Sequence, residues 1–223
     1  MSEQGGRRLH ITGRTLTFDA DPRTDADAAR YTEKGAVLIG DGRILWCGQA
    51  GDEPADLSAG AERHNHGDDL ILPGFVDGHV HYPQIGVIAS FGTQLLDWLE
   101  KYTFPEEGRV SDAAYARETA SLFLNLLLAN GTTTAAVYCT VHPESADAFF
   151  EEASSRDLRM IAGKILMDRN APDTVTDTAQ AGYDDTKSLI EKWHGQGRNL
   201  YAVTPRFAPT STPAQLEACG TLM

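Results

Sequence analysis

From Leu70 onward, extended and helical patterns alternate in order, and that alternation constrains the fold more than any other feature of the chain. Residues 75–81 read as a strand entered through a Pro73-Gly74 turn. Residues 111–129 read as a helix, with Ser111 as its cap and Gly131 just beyond its end. The β-branched run 132–138 is the next strand, followed by a helix at 143–154, a strand at 159–167, a helix at 183–193 and a fourth strand at 200–204. Strands alternating with helices in this way form a parallel sheet covered by helices. Thr212-Pro213-Ala214-Gln215 then opens a further helix, because Thr caps well, Pro suits the first helical position and Gln three residues on completes a capping box. A (β/α)8 barrel needs eight such units over roughly 250 residues. The expectation is therefore an α/β fold in which residues 71–223 form the first half of a TIM-type barrel, four βα units, with the sequence stopping at Met223 before closure.

Residues 1–70 follow a different pattern. Residues 10–18 are a β-branched and aromatic run, and residues 36–39 and 44–47 flank Asp41-Gly42, a strong hairpin signal because Gly tolerates the positive φ of tight turns. The polar stretches 19–33 and 51–69 read as exposed loops. This is the expected N-terminal β-domain, sandwich-like but short of strands to close a sandwich by itself.

Charge and cysteine usage narrow the partners. Among the 223 residues, 32 Asp and Glu stand against 19 Lys and Arg, a formal charge of -13 that argues against nucleic acid, whose phosphates are held mainly by Lys and Arg. Cys47, Cys139 and Cys219 are scattered without a CxxC pair, which reads as buried thiols in a reducing compartment. Residues 1–9 are polar and lack a signal-peptide core, and the most apolar segment, 122–128, is too short to span a bilayer and is interrupted by Asn125. The expectation is a cytoplasmic protein with no membrane partner.

The chemistry concentrates in Leu72-Pro73-Gly74-Phe75-Val76-Asp77-Gly78-His79-Val80-His81. Histidines at i and i+2 of a strand project to one face, so His79 and His81 can reach a single metal ion. Zinc favours such nitrogen ligands, and a catalytic site keeps a position open for water. A lone His-x-His also suits an exposed polar strand. The whole string, however, resembles the first barrel strand of the amidohydrolase superfamily.

Three further strings resemble one family within it, the guanine deaminases. His79-Val80-His81-Tyr82-Pro83-Gln84 places an amide three residues past the second histidine. Leu95-Leu96-Asp97-Trp98-Leu99-Glu100-Lys101-Tyr102-Thr103-Phe104-Pro105 is similar to that family's segment over the active site, and Thr204-Pro205-Arg206-Phe207 to its fourth-strand motif. Gly131-Thr132-Thr133-Thr134 and Gly163-Lys164-Ile165-Leu166-Met167-Asp168 fit the same template in order. The resemblance runs from Leu70 to Gln215. It implies hydrolysis of guanine to xanthine and ammonia with one zinc ion held by His79 and His81, and a homodimer. It also implies a third His ligand, a late carboxylate ligand and a general acid/base Glu, all beyond Met223.

The residue types agree with a purine pocket. Phe207 can stack on the ring. Arg206 offers a fork of donors suited to O6 and N7 of guanine. Gln84 carries both a donor and an acceptor for a ring nitrogen and an exocyclic amine. Without the resemblance, Arg206 would read as a surface ion-pair residue and Phe207 as core. Leu95, Trp98, Leu99 and Tyr102 have the spacing of a helix face packed on a core; the resemblance adds Leu95 and Trp98 as a lid. His142 reads as a loop histidine, His64 and His66 as solvated loop residues, and Lys164 as the partner of a carboxylate.

Two other readings remain at this stage. One is an aminohydrolase for another purine or a triazine, against which the Trp98 and Thr-Pro-Arg-Phe segments count. The other, of a different class, is a non-catalytic half-barrel binding module. A two-metal enzyme of hydantoinase type would want a lysine in the fourth strand, and residues 201–207 have none. The cytidine-deaminase fold lacks its His-x-Glu and Pro-Cys-x-x-Cys ligands here.

Overall fold

A computed structural model describes residues 7–92 and 94–223; the first six residues of the polar start lie outside them. The chain divides into two compact units, Met1–Pro73 and Gly74–Met223.

The first unit is a four-stranded sheet in the order β3-β2-β1-β4. β1 (Arg8–Phe18) pairs antiparallel with β2 (Ala29–Gly40), which turns at Asp41-Gly42 into β3 (Arg43–Gln49). Both turn residues have positive φ, 51° and 71°, the conformation a two-residue hairpin with a right-handed twist demands. Where a loop was expected across 51–69, β4 (Glu62–Ile71) runs parallel to the other edge of β1. Its residues are polar because nearly all of it is exposed, so no apolar alternation marks it. His64 and His66 sit on this strand, close to Glu62 and Asp69, not in a loop. Among the described residues the unit is one sheet, without a second facing sheet. Because β4 continues to Ile71, the unit also extends past residue 70. Cys47 is exposed on β3, contrary to the buried thiol expected there, while Cys139 and Cys219 are buried.

The second unit is built on a parallel sheet, β5-β6-β7-β9, of β5 (Phe75–His81), β6 (Thr132–Tyr138), β7 (Arg159–Gly163) and β9 (Leu200–Tyr201). The helices Ala113–Ala129, Pro143–Ser155 and Ala179–Trp193 connect successive strands. The first is capped by Asp112, whose side chain accepts from the Tyr115 amide, and not by Ser111, whose hydroxyl turns back to the Gly108 carbonyl. It ends at Ala129, and Gly131 just beyond the Asn130 cap has a φ of +80°. A helix does begin at Pro213, with Thr212 accepting from the Gln215 amide.

Alternation along β6 separates two faces. Ala135 and Val137 are buried with Phe123, Phe149, Phe150 and Leu189 under the helices, and Tyr138 faces the other way. Two strands expected to be continuous are each broken. After Gly163 the chain steps through Lys164 into β8 (Ile165–Leu166), and after Tyr201 it steps into β10 (Thr204–Pro205), which pairs with β8. The cause is a close crossing: a Cβ on Gly163 would lie 1.9 Å from the Ala202 carbonyl oxygen, so only glycine fits. No helix among the described residues is long and apolar enough to cross a membrane.

Candidate functional site

The residues with chemistry gather at the carboxyl ends of the parallel strands, where α/β sheets carry their ligand sites. In β5 the register slips by one residue between Asp77 and Val80, which marks a bulge at Gly78-His79. The Asp77 carboxylate holds the bulge by accepting the His79 amide at 3.0 Å. Beyond it alternation resumes: Val80 packs against the helix-side core, and His79 and His81 turn to the opposite face. Their ring centroids lie 5.3 Å apart, close enough for both imidazoles to serve one ion. Tyr138, opposite His81 in β6, lies beside both rings, 4.5 Å from that of His81 and 4.8 Å from that of His79.

These histidines open onto a cavity of about 270 Å³ that Gln84, Leu95, Leu99, Arg206 and Phe207 also line. Gln84 comes from the 3-10 turn Tyr82–Val87 directly after β5. Arg206 and Phe207 follow β10; the Arg206 amide donates to the Leu166 carbonyl at 3.2 Å and extends that pairing. Six expected site residues therefore share one cavity. Trp98 does not line it. Its indole N–H donates to the Ser90 carbonyl at 3.1 Å, and its ring borders an adjacent apolar recess of about 400 Å³. The expected lid pair thus divides: Leu95, 68% exposed, lines the histidine cavity, and Trp98 packs against the core of Leu99 and Phe104.

Burial governs the charges. His81 is pushed down to a pKa of about 3, first by desolvation and then by the positive charge of Arg206 and its neighbour His79. It is therefore neutral at pH 7, the form that donates a lone pair to a metal. Its Nδ1 is buried without a hydrogen-bond partner. The nearest carboxylate oxygen, Glu107 Oε1, is 3.9 Å away, too far for a hydrogen bond. A buried polar atom left over in this way suits a ring meant to work through metal coordination.

Glu107 is the residue that the sequence reading missed. It lies on the helix Phe104–Arg109, reached through a π-helical stretch, Leu99–Thr103, after the helix Leu95–Trp98. Its side chain is 1% exposed and bonds Arg206 Nη1 at 2.6 Å and Gln84 Nε2 at 2.9 Å. Its only sequence signal is a charged pair, Glu106-Glu107, just after an apolar, aromatic segment.

Other histidine and lysine expectations resolve outside the cavity. His142 precedes the helix Pro143–Ser155, where its Nε2 meets the Thr174 carbonyl at 3.1 Å. Lys164, fully buried, pairs with Asp177 at 2.5 Å. Among the described residues no three His, Cys, Asp or Glu side chains gather as a metal cluster; the histidine pair stands alone.

The Amidohydrolase family model matches residues 70–222. Guanine deaminase of Escherichia coli (strain K12) is 50% identical over 202 residues, 91% of this chain and 46% of that protein. The crystal structure of guanine deaminase from Bradyrhizobium japonicum superposes with a TM-score of 0.91 at 42% identity, covering 97% of this chain and 47% of that one. Guanine deaminase from C. acetobutylicum, with guanine bound in its active site, superposes with a TM-score of 0.83 at 26% identity, covering 97% and 50%. The chain spans about half the length of the relatives it matches.

Proposed function

The chain belongs to the amidohydrolase family, and from that premise we propose that it serves the hydrolytic deamination of guanine to xanthine and ammonia. The observation that carries this reading is the convergence of His79, His81, Gln84, Arg206 and Phe207 on one cavity at the carboxyl ends of the strands. The similarity to guanine deaminases, one of them with guanine bound, supports the choice of substrate.

In this reading the second unit supplies the first four βα units of a barrel. His79 and His81 hold one zinc ion, with the remaining ligands and the general acid/base Glu contributed by the rest of that barrel. Zinc supplies Lewis acidity toward water at neutral pH. The residues of this chain bind and orient the purine. Phe207, 37% exposed at the cavity wall, presents a ring on which the base stacks. Arg206 donates to the acceptors O6 and N7, and Gln84 pairs with a ring nitrogen and the exocyclic amine. Leu95 closes over the base and excludes water. The protein works in the cytoplasm as a homodimer. Adenine fits poorly, because it presents an amine where guanine carries O6.

The metal assignment is tested with H79A/H81A in the complete polypeptide that contains this sequence. Two of the ligands are removed, so most bound zinc and nearly all deamination should be lost. Stoichiometric zinc in the double variant would contradict the assignment.

A further inference from the structure

Glu107 belongs to no strand end and carries no part of the chemistry above, yet it organises the cavity's polar wall. A carboxylate offers only acceptors. Oε1 accepts from the Gln84 side-chain NH2 at 2.9 Å and Oε2 from Arg206 Nη1 at 2.6 Å. Gln84 therefore has no choice of amide orientation. Its NH2 must face Glu107, with one N–H spent on the carboxylate, and its carbonyl oxygen is left as the acceptor it can offer to the cavity. Arg206 commits one nitrogen to the same carboxylate and keeps its other N–H groups for use elsewhere. Its guanidinium is fixed further by the Phe104 ring, 5.4 Å away.

We propose that Glu107 is a positioning residue that sets the polarity of the cavity, making Gln84 an acceptor and Arg206 a donor toward the ligand. The inference rests on the cavity being the purine site. It sharpens that reading, since the ligand must present an N–H to Gln84 and a carbonyl or unprotonated ring nitrogen to Arg206. Guanine carries both kinds of group.

The decisive variant is E107Q, nearly the same shape but with an NH2 that must face one of two donors. Turned toward Gln84, it forces that amide over, so that a donor now meets the purine N–H. Turned toward Arg206, it opposes the cation. In the complete polypeptide stripped of zinc, where guanine is not turned over, calorimetry should show guanine binding weakened roughly 10- to 100-fold, with the zinc stoichiometry on reloading unchanged. The kinetic loss should fall on KM more than on kcat. The exchanged pair Q84E/E107Q is the control that a merely structural role would not rescue. There the amide at position 107 accepts from Arg206 and donates to the new carboxylate, so an acceptor faces the cavity again. Guanine binding should return to within about tenfold of the parent.

Unchanged guanine binding in E107Q overturns the proposal, and so does an exchanged pair as weak as the Q84E and E107Q losses combined. If E107Q fails to fold, E107D keeps the charge and shortens the reach. Weakened guanine binding in E107D then supports the proposal, and parental binding overturns it. A parent that binds no guanine, with its fold intact, refutes the purine site itself and this inference with it, a result separate from any of the variants.

Discussion

Arg206 carries a full charge into a position that leaves 6% of its side chain exposed, and Glu107 beside it is 1% exposed. Neither would be stable there alone, because a buried charge without a partner costs several kcal/mol. The pair also predicts that lysine is a poor substitute at this position. Lysine keeps the charge next to Glu107 but lacks the planar fork that serves two partners at once. R206K should therefore fold, retain zinc and lose about 1.5–3 kcal/mol of transition-state binding, roughly 10- to 150-fold in kcat/KM for guanine. An unchanged kcat/KM would return Arg206 to a purely structural role. At this scale the sequence is informative where short strings resemble those of one family. His79, His81, Gln84, Arg206 and Phe207 were picked from short strings, and they line one cavity. Glu107 escaped because a glutamate on a helix is ordinarily solvated, and nothing local distinguishes a buried one.

At the scale of elements, the alternation from Leu70 onward gave the order of strands and helices, since its apolar faces are large and regular. Features set by long-range contact stayed hidden. β4 is polar over most of its length and almost wholly exposed, so its composition is that of a loop. The breaks at Lys164 and Val203 follow from the crossing at Gly163, which is not a property of either segment alone. Lys164 itself ties three elements together: Asp177 accepts from its Nζ at 2.5 Å, from the Met167 amide at 3.2 Å and from Gln215 Nε2 at 2.9 Å. Removing the cation leaves a carboxylate, itself 8% exposed, without its main compensation. K164M should cost about 3–5 kcal/mol of unfolding free energy in urea titrations. A loss below about 1 kcal/mol would mean that water or the two amides already neutralise Asp177.

Across the whole molecule, the second unit carries a parallel sheet whose outer strands, β5 and β9, each have one neighbour in that sheet. β5 leaves Phe75 56% and Val76 72% exposed, apolar surface that a closed barrel would cover. Val137 and Ile165, by contrast, are 3% and 0% exposed in cores already formed with the helices and with Leu99 and Phe104, and do not wait for another half. The site therefore rests on a packed base. The chain's net charge of -13 would set no obstacle to a neutral purine, since such a ligand is held by a few directed groups and not by the field of the surface. The most direct test of this account is the fate of guanine with the zinc-loaded complete polypeptide that contains this sequence. The account predicts xanthine and ammonia formed in equal amounts, lost on chelation and regained with zinc. Guanine left unchanged by a folded protein holding stoichiometric zinc would contradict it.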